Sequence, residues 1–226
     1  MSNAPAPAKP SASAVIVRNG ADALEVLLLR RNEKIVFHGG AWVFPGGRVD
    51  SADHSGAGEP EIDVAKRAAV RETHEETGLR VSAEAMLPFA HWTTPVELPK
   101  RFSTWFFVNL LEQPQPVQID NSEIIDHRWM TPTAALASHA AGDISLPGPT
   151  FVTLLGFQNL PNLQAMQTLM RDGEVQHFVP RLVPLDDGRC TLYQEDAGYN
   201  DLDLNAPVPR HRLIRRGTDW DYQRNF

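Results

Sequence analysis

Three carboxylates crowd the segment Arg71-Glu72-Thr73-His74-Glu75-Glu76-Thr77-Gly78-Leu79. Glu72, Glu75 and Glu76 stand at i, i+3 and i+4. On a helix, at about 100° per residue, Glu75 lies roughly 60° and Glu76 roughly 40° from Glu72, so all three share one face within a turn. Alone, such a cluster is unfavourable. Like charges at this spacing cost about 0.2–0.5 kcal/mol per pair, and a helix C-terminus disfavours anions. A divalent cation offsets both effects. Mg²⁺ prefers oxygen ligands, keeps several waters and shares its shell with substrate phosphates. Arg71, four residues before Glu75, is spaced to hold a carboxylate in orientation. The plain alternative is a solvated acidic helix end.

These residues need a helix under them and a loop facing them. Pro60 suits a first helical turn, EIDVAKRAAVRETHEET runs without a breaker, and Gly78 suits a left-handed stop. A helix is therefore expected over 60–77. Upstream, AVIVR (14–18) and LEVLLLRR (24–31) read as a hairpin around Asn19-Gly20-Ala21-Asp22. Trp42-Val43-Phe44 reads as a third strand, stopped by Pro45-Gly46-Gly47. Paired glycines let backbone approach a ligand closely. Residues 50–60 are small and polar, a loop. Downstream, strands are expected within 79–92, 102–111 and 124–129. Thr131-Pro132 should cap a helix over 133–140, and two short helices should flank Asn159-Leu160-Pro161. A hairpin around Asp186-Asp187-Gly188 and a strand over 210–216 complete the pattern.

The constellation resembles the Nudix box: Gly, five residues, Glu, seven residues, then Arg-Glu-apolar-any-Glu-Glu-any-Gly-apolar. Arg71-Glu72, Glu75-Glu76 and Gly78-Leu79 match residue for residue, and Gly47 matches the glycine turn. Thr73 stands where an apolar residue is usual. Seven residues separate Asp63 from Arg71, the spacing at which the pattern has glutamate, so the loop between Gly47 and Asp63 reads as expanded by ten residues. Glu59 or Glu61 could take that acidic role if the helix start shifts.

The resemblance implies an α/β fold, a Nudix-type α/β/α sandwich around a mixed sheet, over residues 13–140. A flexible tail (1–12) would precede it, and an α+β C-terminal extension (141–226) would pack on the same domain. It implies hydrolysis of the diphosphate bond of a nucleoside diphosphate linked to another group. Mg²⁺ or Mn²⁺ would be held by Glu72, Glu75, Glu76 and the Gly46 carbonyl. Glu72 or Glu75 would be the base, and Arg71 would orient the carboxylates. Gly47, Arg30, Arg31, Arg48 and Arg101 are candidates for substrate contacts; an unspecific surface place is the alternative for each arginine. Glu123 could reach the metal or lie idle on the surface. Leu27-Leu28-Leu29-Arg30-Arg31, Gly40, Phe44-Pro45-Gly46-Gly47, Trp92-Thr93-Thr94-Pro95 and Arg101-Phe102-Ser103-Thr104-Trp105-Phe106-Phe107 resemble the coenzyme A diphosphatase branch, except that Val36 replaces its arginine. ADP-ribose, ADP-sugars and dinucleotides are alternative substrates. A ligand sensor without turnover, or an interaction domain with a merely solvated acidic helix, are alternative roles.

Composition sets outer bounds. The chain has 226 residues, 42% hydrophobic and 22% charged, which excludes extended disorder for most of it. A net charge of −7 argues against bulk electrostatic binding of nucleic acid. No apolar run of membrane-spanning length is present, so no membrane partner is expected. The segment MSNAPAPAKPSASA lacks a secretory h-region. A single cysteine, Cys190, fits a reducing cytoplasmic compartment and reads as inert. His74 reads as exposed. His91 and Trp92 could stack on a base or fill the core. The basic run RHRLIRR (210–216) could meet an anionic ligand or another subunit, or could be a charged edge strand. Oligomeric state is not legible.

Overall fold

The chain is described by a computed structural model over residues 6–36 and 38–226. A mixed sheet forms first: β1 (Lys9–Asn19), β2 (Leu24–Arg31), β3 (Trp42–Val43), β4 (Gly46–Arg48), β5 (Leu87–Thr93), β6 (Phe102–Leu110) and β7 (Ile124–Met130). Helices α1 (Glu61–Thr77), α2 (Pro132–Ala140), α3 (Gly148–Phe157) and α4 (Leu163–Asp172) pack on it. A last strand, β8 (Gln176–Phe178), completes its edge, giving the order β3-β2-β1-β6-β5-β8, with β4 on β1 and β7 on β2. The remaining strands, β9 (Arg181–Leu185), β10 (Gly188–Leu192), β11 (His211–Arg216) and β12 (Asp219–Arg224), make an antiparallel meander.

Alternation along the strands builds two cores. Ala12, Ala14 and Ile16 of β1, Leu27 and Leu29 of β2 and Phe107 of β6 face α1, which meets them with Ala65, Ala68 and Ala69. Small residues let that helix sit close. Val15, Val17, Val26, Leu28, Phe106 and Val108 face the other way, against Phe151 and Leu154 of α3, Met166 of α4 and Leu213 of β11. Helices therefore cover both sides of a mixed sheet, as the α/β/α expectation required.

Several local expectations shift. β1 begins at Lys9, inside the stretch read as tail, because residues 9–17 pair in parallel with β6, Lys9 opposite Phe102. Residues 1–5 of that stretch lie outside the described residues. The Gly46-Gly47 turn is itself a short strand, since β1 pairs with β2 at one end and with β4 at the other. Pro60 caps α1 from outside, and Gly78 ends it at φ 69°, its N–H bonded to the His74 carbonyl. Residues 79–86 are not strand. β12 was not foreseen, and its presence makes β11 an interior strand. The charged-edge reading of RHRLIRR is thereby overturned: His211 and Arg212 are buried. Trp92 is core, stacked on Phe178 at 3.8 Å, and Cys190 is buried with its thiol pushed up to about 11, chiefly by burial. Among the described residues no helix is long and apolar enough to cross a membrane.

Candidate active site

α1 carries the three glutamates past the short strand β4, and the double glycine makes the approach possible. A Cβ on Gly47 would collide with the Glu72 carboxylate, and one on Gly46 with the Ala12 carbonyl. The Gly46 N–H donates to Glu76 Oε2 at 2.9 Å. Glu76 is only 5% exposed. Burial, with Glu72 adding to it, pushes its carboxyl up to about 8, while the Gly46 bond and Arg31 pull the other way. Burial also raises Glu72 above the usual carboxylate range, against the pull of Arg71. Glu75 points outward, its side chain 56% exposed.

Arg71 organises the cluster. Its Nη1 donates to Glu72 Oε1 at 2.8 Å and to Glu75 Oε2 at 3.0 Å. Its Nη2 donates to the Arg48 carbonyl at 3.0 Å. Its other edge grips Asp53: Nε to Oδ1 at 3.0 Å and Nη2 to Oδ2 at 2.9 Å, the bidentate fork that suits guanidinium to carboxylate. Asp53 is buried at the end of a 3₁₀ turn (Ser51–Asp53), held by a reciprocal cap with Asp50.

This corrects the assignment of the box's first acidic residue. Asp63 lies in the first turn of α1, and Asp53 holds Arg71 instead. Asp53 is the sixth residue after Gly47, the place the pattern gives when counted forward from the glycine. Counting backward from Arg71 by the same pattern stops at Asp63, ten residues short of Asp53. The insertion therefore follows the acid rather than preceding it. Glu59 closes the inserted loop on itself, accepting from Ser55 and pairing with Arg67.

The remaining candidates divide. Glu123 comes near: its carboxylate is 3.7 Å from Arg31 Nη2, and its charge bears on Glu72 and Glu76. Arg31 itself acts on Glu76. Arg30 is tied to Glu33 at 2.8 Å. Arg48 contributes its carbonyl, and its side chain is exposed. Arg101 stands at the Lys9 end of β1, about 13 Å along the sheet from the Gly47 register, and donates to the carbonyls of Thr94 and Ala6. That is a structural task, and the structure does not bring Arg101 to the glutamates. His74 is exposed, as expected.

The model of the NUDIX domain matches residues 7–146. The chain belongs to the Nudix family. Among its relatives, acyl-coenzyme A diphosphatase NUDT19 of Xenopus laevis is 22% identical over 84% of this chain and 75% of its own length. The human NUDT19 is 30% identical over 58% of this chain and 36% of its own length, so the chain spans about a third of that relative. Among solved structures, a Nudix hydrolase from Alicyclobacillus acidocaldarius superposes with a TM-score of 0.64 at 22% identity, covering 74% of this chain and 97% of that one. That likeness confirms the fold.

Proposed function

We propose that this Nudix chain is a divalent-metal-dependent hydrolase of the diphosphate bond in a nucleoside diphosphate joined to another group, with coenzyme A or an acyl-coenzyme A as the substrate class. The observation that carries the reading is the Arg71 network, in which one guanidinium holds Asp53, Glu72 and Glu75 beside a buried Glu76.

The donor set fits a hard cation. Among the described residues no three acidic, histidine or cysteine side chains stand in a ready-made ligand cage. The reason is visible: Arg71 Nη1 occupies Glu72 and Glu75, and the Gly46 N–H occupies Glu76. The chemistry nonetheless suits Mg²⁺ or Mn²⁺, which prefer carboxylate and carbonyl oxygen. Glu76, buried beside Glu72, is the carboxylate with most to gain from a cation. Glu72, Glu75 and Glu76, with the Gly46 carbonyl, would hold it. Such an ion supplies Lewis acidity and a water of lowered pKa. Glu72 or Glu75 would accept the proton of the attacking water, and Arg71 keeps both carboxylates oriented.

The coenzyme A assignment is supported by the two acyl-coenzyme A diphosphatase relatives. Its test is a Mg²⁺-dependent panel of coenzyme A, acetyl-coenzyme A, ADP-ribose, NADH and diadenosine polyphosphates, with products identified by mass. Adenosine 3′,5′-bisphosphate and a phosphopantetheine fragment are expected. Cleavage of ADP-ribose alone would remove the assignment. Metal binding without any turnover would move the reading to a ligand sensor.

A further inference from the structure

A second charged cluster adjoins the glutamates, and it is basic. Arg31 ends β2, while Arg189 on β10 and Arg215 on β11 stand directly opposite each other in the strand register. Like charges so placed are destabilising. All three arginines act on the His38 imidazole, which burial and then their charge hold down to about 4. Arg31 is the member that adjoins the acidic cluster: its Nη2 stands 3.7 Å from the Glu123 carboxylate, and its charge bears on Glu76.

The cations are under-compensated. The Nε atoms of Arg31 and Arg215 are buried and have no hydrogen-bond partner among the described residues. Arg215 donates from Nη2 to the Thr191 hydroxyl at 3.2 Å and lies 5.1 Å from the Trp220 ring centre. Burial and Arg189 draw its pKa down to about 10. Neighbours on β11 show the contrast: Arg212 is paired with Asp196 at 2.7 Å and Arg216 with Asp187 at 2.8 Å. Among the described residues no carboxylate lies within ion-pair distance of Arg189 or Arg215, and Arg31 has only Glu123 at 3.7 Å.

We propose that Arg31, Arg189 and Arg215 form an anion subsite beside the glutamate cluster, and that it receives a phosphomonoester which the substrate carries in addition to its diphosphate. A phosphate dianion brings acceptor oxygens to the guanidinium groups and negative charge to three cations. A singly charged carboxylate would offset less of that charge. The identity of the molecule bearing the phosphate rests on the diphosphatase reading; the subsite itself does not.

Two compounds differing only in that group make the test: coenzyme A and 3′-dephospho-coenzyme A. Their affinities for the full chain are measured by calorimetry in EDTA, where nothing turns over, and their kcat/KM values with Mg²⁺. Coenzyme A should bind at least tenfold more tightly, with a preference that weakens as salt rises. In Arg189→Gln, an exposed position, and in Arg215→Gln, each checked for native melting, the ratio should fall towards one. Equal affinities in the wild-type chain, or a ratio unmoved by Arg189→Gln, would overturn the subsite. Hydrolysis of both compounds at equal kcat/KM with equal affinity defeats the subsite and leaves the diphosphatase reading intact. A preserved binding ratio without hydrolysis of either does the reverse.

Discussion

Asp53 is the residue whose role is easiest to isolate. Asp53→Asn keeps its shape and removes the charge that grips one edge of Arg71 through both carboxylate oxygens. Loss of a partner that orients ligands typically costs 10–100-fold, so kcat/KM should drop by about that factor on whichever diphosphate proves active. Asp63→Asn should leave kcat/KM within twofold; a large loss there would return the role to Asp63. Thr73 makes a different point. It occupies the box's usual apolar position, is fully buried, and its hydroxyl has no partner among the described residues. An unpaired buried polar group costs about 1–3 kcal/mol. Thr73→Val, near in volume, should therefore raise stability by about 1 kcal/mol, read as a higher urea midpoint at unchanged slope.

At the scale of elements, what matters is the closeness of α1 to β4. Alanines at 65, 68 and 69 bring the helix down on β1 and β6, and the glycines of β4 leave room for the carboxylates of Glu72 and Glu76. Gly47→Ala separates site from fold. The new methyl meets the movable end of Glu72 rather than backbone, so the protein should lose less than about 1 kcal/mol yet displace the carboxylate proposed to hold the metal. A 10-fold or greater loss of Mg²⁺ affinity, with near-native melting, is the expected result. Unchanged affinity would place Glu72 outside the metal shell.

At the scale of the molecule, the last third of the chain belongs to the same structure as the first. β8 extends the main sheet along β5, and Leu213 and Tyr193 share a core with β1 and β2. A buried ion pair locks this part: Arg212 donates to both oxygens of Asp196, each at 2.7 Å, and to the Leu204 carbonyl. Removing one partner of such a pair costs about 3–5 kcal/mol, which is the expected loss for Asp196→Asn by chemical denaturation. Burial alone would raise the Asp196 pKa, but Arg212 and the N–H groups of Gly198 and His211 outweigh it and hold it below the usual range. A depressed carboxylate stabilises fully above its ordinary value near 3.8 and loses that contribution as pH falls through the lower folded value. The gap between wild type and Asp196→Asn should thus be widest near neutral pH and narrow below pH 4. A gap that stays constant into acid would show that the charge of Asp196 is not what stabilises.

Local physics made much of this protein legible from its residues alone. The helix from 61 to 77, its glycine stop, the hairpin of β1 and β2 and the shared face of Glu72, Glu75 and Glu76 follow from periodicity, punctuation and the 100° step of a helix. Arg71's reach to Glu75 follows from the same step. Partners far apart in the chain were decided only by the tertiary structure. Asp53 meets Arg71 across an insertion whose position spacing alone misassigned. Gly46 fixes Glu76 from another element, and Arg101 is taken up by backbone carbonyls. Arg189 and Arg215 face each other across β10 and β11, and their charge falls on His38, because the chain folds back on itself after more than a hundred residues. Spacing encodes neighbours within a turn or a hairpin, but it carries no distance between segments that only a shared core brings together.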